Sequence, residues 1–287
     1  MTLNRDALST LKRCVLSAAA EELLPRFSAV DTALKADGSI VTEADHAMQD
    51  RLQAELAEHF PDYGLLGEEM TESEQLEQLR QSSSGIWILD PLDGTSNFAI
   101  GIPYCAVSLA LVEDGRVTLG IVYDPSRDEY FQALRDGGAW LNDAQLGARR
   151  PSTPLSRGIA MVDYKRLPAS LAKALAARPP YSSQRSFGSV ALDFCWLAAG
   201  RAHVYLHGSH NLWDYAAGLT ILHEAGGHSV TLDGESNPPL SLQKRSTAAA
   251  LDECLFREWC NALGIGAGKF CNESHRRDAK DAEEDKG

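Results

Sequence analysis

Residues 86–97, IWILDPLDGTSN, hold the stretch on which the reading of this chain turns. Ile86 to Leu89 is a short, continuously apolar run that predicts a buried strand, which Asp90 and Pro91 are expected to end. Two carboxylates, Asp90 and Asp93, follow at the strand's exit. Hard cations such as Mg2+ take carboxylate, carbonyl and water oxygens in near-octahedral arrays, and Asp90, Asp93 and the Leu92 carbonyl can supply such oxygens. Pro91 fixes its own backbone angle and Gly94 permits a sharp turn, after which the amides of Gly94 and Thr95 can face an anion such as phosphate. Taken alone, the same residues also spell a surface turn, because Asp, Pro and Gly dominate turns for conformational reasons.

Working outward, Leu8, Leu11, Val15, Leu16 and Ala19 recur at helical spacing and predict an amphipathic helix over 4–24, ending before Pro25. A second helix is predicted over 43–59, with Ala44, Met48, Leu52 and Leu56 on its apolar face and a capping arrangement of Thr42 with Asp45 at its start. Between them lies a turn-rich loop, KADGSIVTEAD (35–45). Downstream, 104–112 and 116–124 are strand-like runs around EDG, a hairpin signal, and a further strand and turn follow through GGAWLN (137–142). The polar, proline-containing stretch 147–158 is expected to separate an N-terminal α+β lobe (1–146) from a C-terminal α/β lobe (147–268). In the second lobe helices are predicted at 168–177, 189–199 and 214–225, and strands at 202–206 and 228–232, a pattern that suggests layered sheets and helices. GIGAGK (264–269) matches neither phosphate-loop nor dinucleotide-fold spacing and reads as a flexible exit, while the charged segment 269–287 reads as a disordered tail.

Among 287 residues, 27 Lys and Arg face 40 Asp and Glu, for a formal charge of -13. That balance repels polyanions, so a nucleic-acid partner is not expected, whereas a small phosphorylated ligand can still bind through metal ions. The six cysteines form no CxxC pair and read as reduced thiols. The N-terminus lacks the apolar core of a signal peptide, and nowhere do about 18 apolar residues run together as a bilayer span requires. A cytoplasmic protein without membrane contact is therefore expected.

VTEAD (41–45), LLGEE (65–69), WILDPLDGTSNF (87–98), RSFGSVALD (185–193), LWDYAAG (212–218) and EAGG (224–227) stand in an order that resembles the inositol monophosphatase family. That family belongs to the larger fructose-bisphosphatase-like group of magnesium-dependent, lithium-sensitive phosphatases, and the resemblance runs from about residue 5 to 265. It implies an α+β or α/β fold, a layered α-β-α-β-α sandwich, and a phosphomonoesterase. It further implies that Glu68, Asp90 and the Leu92 carbonyl hold one Mg2+, that Asp90, Asp93 and Asp214 hold a second, and that a third, weaker ion binds near Glu68. Thr95 would position the attacking water, its hydroxyl linked to Asp45. Substrate contacts are implied at Asp93, Gly94, Thr95, Gly188, Ser189, Val190 and Asp214. His207 stands where the family's inositol phosphatases usually carry a Glu; an imidazole donates as well as accepts, which suits a different polyol or an additional anionic group.

The implied substrate is inositol 1-phosphate, with 3'-phosphoadenosine 5'-phosphate or histidinol phosphate as alternatives, and the implied assembly is a homodimer. A regulatory protein that keeps the fold and contacts RNA polymerase or ribosome components is the reading from another class. Plainer roles compete at several positions. Asp45 can simply cap its helix, Asp214 can be an ordinary first-turn Asp, and Glu69 can be a supporting or surface carboxylate. Lys35 and Asp37 fit the loop near the metals but are also ordinary solvated charges. His207 and His210 have metal-like spacing, yet with no carboxylate or Cys organised around them they read as pocket or surface histidines.

Overall fold

The computed structural model describes residues 5–35, 40–81, 84–147, 153–236 and 238–266. The chain opens with helix α1 (Arg5–Ala18), the hairpin β1 (Thr32–Leu34) and β2 (Ile40–Thr42), and helix α2 (Glu43–His59). Next come β3 (Gly64–Gly67), α3 (Glu72–Gln81), β4 (Ile86–Asp93) and the short α4 (Thr95–Ala99). An antiparallel run follows: β5 (Ala106–Glu113), β6 (Arg116–Asp124), β7 (Glu129–Leu134), β8 (Gly138–Leu141) and β9 (Ala144–Gln145). The second half contributes β10 (Ile159–Asp163), α5 (Ala169–Ala177), β11 (Ser183–Arg185), α6 (Val190–Ala198) and β12 (Val204–His210). It closes with α7 (Leu212–Glu224), β13 (His228–Val230), β14 (Arg245–Ala250) and α8 (Glu253–Leu263).

Among the described residues, one large sheet has the order β3-β4-β5-β6-β7-β8-β9 and the other β11-β10-β12-β14-β13. Side chains alternate across a strand, so each strand shows which layers it separates. On β4, Trp87 and Leu89 pack with Leu11, Val15, Met48 and Leu52 of α1 and α2, whereas Ile86 and Ile88 pack with α6 and α7. On β12, Tyr205 faces the α6/α7 layer, while Val204 and Leu206 face Leu255, Phe256 and Trp259 of α8. The molecule is thus the layered α-β-α-β-α sandwich. The uninterrupted apolar character of Ile86 to Leu89 is the sequence trace of a strand covered on both sides.

Three expectations need correction. The first helix is not α-helical over 4–24. It keeps α geometry to Ala18, widens into a π turn over Ala19–Leu23 and tightens into a 3-10 turn over Leu24–Arg26. Pro25 has no N–H to donate, and this change of pitch seats it in the first turn of the 3-10 segment while Ala18, Ala19 and Leu23 stay buried. β4 does not end at Asp90 but pairs with β5 as far as Asp93, through a register shift. A bulge leaves one residue out of the ladder, which is where a strand tolerates a proline such as Pro91. β12 likewise continues past 206 to His210. The EDG hairpin is present, with Asp114 and Gly115 both at positive φ as a tight β5–β6 turn requires. Gly264 is the left-handed C-cap of α8, while residues 267 and 268 of GIGAGK, the tail 269–287 and residues 148–152 of the expected lobe boundary lie outside the described residues.

Candidate active site

The bulge in β4 sets the geometry of the site. Asp90 pairs with Ser108 and Asp93 with Ala106, so three steps on β4 oppose two on β5. In a regular strand residues three apart face opposite sides; the extra residue turns Asp93 to the same face as Asp90, towards α6 and α7. The Asp90 carboxylate accepts the Leu92 N–H at 3.0 Å, which holds the bulge. Gly94 follows at φ 95°, where an added Cβ would meet the Tyr104 carbonyl at 2.9 Å, so glycine is required on both counts.

Two further acids come from helix starts, each held by the same device. Thr42 and Asp45 form a capping box at α2, with Asp45 Oδ2 accepting from the Thr42 N–H at 2.8 Å and the Thr42 hydroxyl at 2.6 Å. The other oxygen, Oδ1, accepts from the Thr95 hydroxyl at 2.9 Å. Asp45 therefore caps its helix and grips Thr95 at once, one oxygen to each. The Thr95 hydroxyl also lies 3.0 Å from the Leu92 carbonyl. At α7, Asp214 Oδ2 accepts from the Asn211 N–H at 2.8 Å in a second capping box, which leaves Oδ1 for the site. Asn211 was not singled out from the sequence, although it stands before Asp214 at the same spacing as Thr42 before Asp45.

Asp93 is anchored on the start of α6. Its Oδ2 accepts from the Ser189 hydroxyl at 2.7 Å and the Ala191 N–H at 2.6 Å, while Ser189 also caps α6 by accepting from the Leu192 N–H. Gly188 (φ 86°) turns the chain beside Asn97, whose side-chain amide donates to the Tyr104 and Phe187 carbonyls at 2.8 and 2.6 Å. Asn97 thus ties the DGTSN turn to the segment leading into α6, a role the sequence did not announce. Glu68 follows β3, its N–H donating to the Leu89 carbonyl. Lys35 is half-buried rather than solvated, with its ammonium 2.7 Å from Glu68 and 2.6 Å from Glu69. Asp37 lies outside the described residues.

These acids lie close enough to act on one another electrostatically. Burial, then Glu68, Asp93 and Asp214, push Asp90 well above the usual carboxylate range. Burial, then Asp93 and Glu68, push Asp214 up to about 8. Asp93 is raised to about 6 by burial and Glu68 against the pull of Ser189 and the α6 amides. Asp45 is raised by burial against its bonds to Thr42 and Thr95. Burial disfavours the Lys35 charge, but Glu68 and Glu69 outweigh it and hold the ammonium above its ordinary pKa. Residues from β4, the β3 exit and α7 thus crowd negative charge that one ammonium does not neutralise. Buried carboxylates are stable as charges only when paired or bound to cations, and a set of hard oxygen donors fits Mg2+.

His207 is buried rather than exposed, with Nε2 3.3 Å from Asp163 Oδ2 and Nδ1 accepting the Ser209 N–H at 3.2 Å. It stacks on His210, ring centroids 4.1 Å apart. His210 has both nitrogens occupied, by the Tyr205 hydroxyl at 2.8 Å and the Arg245 carbonyl at 3.0 Å, which leaves it no lone pair for a metal. The pair is a packed imidazole stack, not a metal site, and Asp163 is the carboxylate the sequence did not reveal.

Comparison with known proteins shows what the chain as a whole is similar to. The profile of the Inositol monophosphatase family matches residues 5–263. An inositol-1-monophosphatase of Mesorhizobium japonicum is 36% identical over 209 residues, 71% of this chain and 77% of that protein. A Nus factor SuhB of Xylella fastidiosa is 36% identical over 201 residues, 69% and 70% of the two chains. Among solved structures, an IMPase of Thermotoga maritima superposes with a TM-score of 0.76 at 28% identity, covering 91% of this chain and all of that one. An IMPase/NADP phosphatase complexed with Mg2+ and phosphate gives 0.74 at 25% identity, covering 91% and 94%.

Proposed function

The chain belongs to the inositol monophosphatase family and is a phosphoric monoester hydrolase of that type; from this premise we propose that it hydrolyses a small polyol phosphate, inositol 1-phosphate foremost, with Mg2+ held by its buried acids. The observation that carries the reading is the convergence of Asp90, Asp93 and Asp214 on Glu68: the four come from distant segments, yet the charge of Glu68 raises the proton affinity of each of the three aspartates. Glu68, Asp90 and the Leu92 carbonyl would hold one ion and Asp90, Asp93 and Asp214 another; a third near Glu68 belongs to the same proposal. Mg2+ bound there would supply a water of lowered pKa and polarise the phosphoryl oxygens.

The chain's own groups do the positioning. When the Thr95 hydroxyl donates to Asp45 Oδ1, its lone pairs are left to accept from a water, which fixes that water and gives its proton a path to Asp45. The raised proton affinity of Asp45 suits it to receive that proton. The amides of Gly94 and Thr95 would face the phosphate, and Ser189, with Gly188 and Val190 beside it, holds Asp93 at the substrate side.

The test is phosphate release from inositol 1-phosphate, 3'-phosphoadenosine 5'-phosphate and histidinol phosphate, with Mg2+ or with chelator, and with lithium added. Asp93→Asn is expected to abolish Mg2+-dependent release while the circular dichroism spectrum stays that of the parent. Equal release by the variant would overturn the reading. The His207–Asp163 pair favours testing polyols other than inositol in the same screen, because an imidazole paired with a carboxylate presents a different surface from a free Glu. A regulatory role is read by complementation, since a relative carries the name Nus factor. Full rescue of a gene-loss phenotype by Asp93→Asn would place the cellular role in binding. A homodimer is proposed with the same standing, to be read by light scattering.

A further inference from the structure

We propose that Cys14, Glu55 and His59 form a second metal site, unrelated to the buried acids, for a thiophilic divalent cation of the Zn2+ class. Cys14 comes from α1, and Glu55 and His59 lie one turn apart on the same face of α2. One ligand atom from each, Sγ, Oε2 and Nε2, lies within 4.8 Å of the others, the only such group of three among the described residues.

Two of the separations lie close to tetrahedral edges. With Zn–S near 2.3 Å and Zn–O and Zn–N near 2.0 Å, tetrahedral edges are about 3.5 Å for S to O and about 3.3 Å for O to N. Observed here are 3.5 Å from Cys14 Sγ to Glu55 Oε2 and 3.7 Å from Glu55 Oε2 to His59 Nε2. The surroundings orient the set. Arg51 Nε donates to the other Glu55 oxygen at 2.9 Å, which fixes the carboxylate with Oε2 towards Cys14 and His59. Cys14 is 3% exposed, whereas the Glu55 and His59 side chains are 23% and 34% exposed, so the thiol is sheltered while the ion has a way in. The Tyr130 hydroxyl, near enough to Cys14 to interact with it electrostatically, is a buried polar atom with no hydrogen-bond partner.

Binding exchanges the Cys14 S–H for a sulfur–metal bond and releases the proton to solvent; no electron moves. The thiolate and carboxylate then balance the 2+ charge, with water as the fourth ligand. Glu55 is ten residues beyond Asp45 on α2, about 15 Å along the helix axis, so the ion would staple α1 to α2 at a distance from the catalytic groups.

The test is a titration of the full chain with Co2+ in excess Mg2+, which keeps the carboxylate cluster filled with a hard ion. The expected result is one equivalent of Co2+ with a thiolate charge-transfer band and tetrahedral d–d bands, displaced by Zn2+. The band should vanish in Cys14→Ser, persist in Cys254→Ser, whose thiol is exposed elsewhere, and require at least about tenfold more Co2+ in His59→Ala. Absence of the band in the parent, its persistence in Cys14→Ser, or an unchanged affinity in His59→Ala would overturn the proposal. The His59 variant keeps the test open if the buried Cys14 substitution fails to fold.

Discussion

Asp45 divides its two oxygens between a structural and a chemical neighbour, and that division can be tested by substituting each neighbour separately. Thr42→Ala removes a cap hydroxyl and should cost about 1 kcal/mol of stability in denaturant unfolding, with turnover close to that of the parent. Asp45→Asn keeps an oxygen acceptor but loses the basic site, so turnover should fall by about 10²-fold or more with little change in stability. Thr95→Ala should lower turnover by a similar factor at unchanged Mg2+ dependence, because its hydroxyl touches Asp45 and the Leu92 carbonyl but adds no carboxylate to the cluster. A loss of stability without loss of turnover in Asp45→Asn would leave Asp45 as a cap alone.

At the level of elements, the position of Asp214 depends on how closely α7 lies on the large sheet. A Cβ at Gly120 of β6 would meet the Ala217 carbonyl at 2.7 Å and its Cα at 3.1 Å, so backbone, not a yielding side chain, stands in the way. Gly120→Ala is expected to cost about 1–3 kcal/mol and, by moving α7, to raise the Mg2+ concentration needed for activity. Lowered stability with an unchanged Mg2+ requirement would show that α7 shifts without carrying Asp214 away. The same close packing explains what the sequence hid. β14 reads RSTAAA, whose three alanines favour helix over strand, yet it is a strand because Ala248, Ala249 and Ala250 fit between tightly stacked layers. β10 and β11 are too short to show a period, whereas α2 was legible from Ala44, Met48, Leu52 and Leu56 because a long helix repeats its signal. α8 carries the same kind of signal in Leu255, Phe256, Trp259 and Cys260. The acids of the site were legible as residue types in recognisable motifs. The bulge that turns Asp93 beside Asp90 was not, because it is a property of the pairing between β4 and β5 and of neither strand alone.

Over the whole molecule, the concentration of buried acids couples folding to protons and to metal. Asp93 and Asp214 rise from an ordinary 3.8 to about 6 and about 8, burial being the first cause in both, so the metal-free folded chain holds protons that the unfolded chain has released. Raised carboxyl pKa values contribute stability that is fully present below the unfolded value near 4 and is lost as pH climbs through the folded values, here through about 6 and then about 8. The metal-free protein should therefore melt at progressively lower temperature across that window. Mg2+ binds the ionised forms and stabilises the folded state by mass action, about 2.7 kcal/mol at a hundredfold excess over its dissociation constant. The rise in melting temperature on adding Mg2+ should accordingly be small near pH 5, where protons occupy the acids, and largest above pH 8, where they are ionised and repel one another. Melting curves in chelator and in Mg2+ at several pH values check this directly. A Mg2+ shift that stays constant from acid to alkaline pH would mean that the ion binds elsewhere, and that the crowding of Asp90, Asp93 and Asp214 is relieved by protons alone.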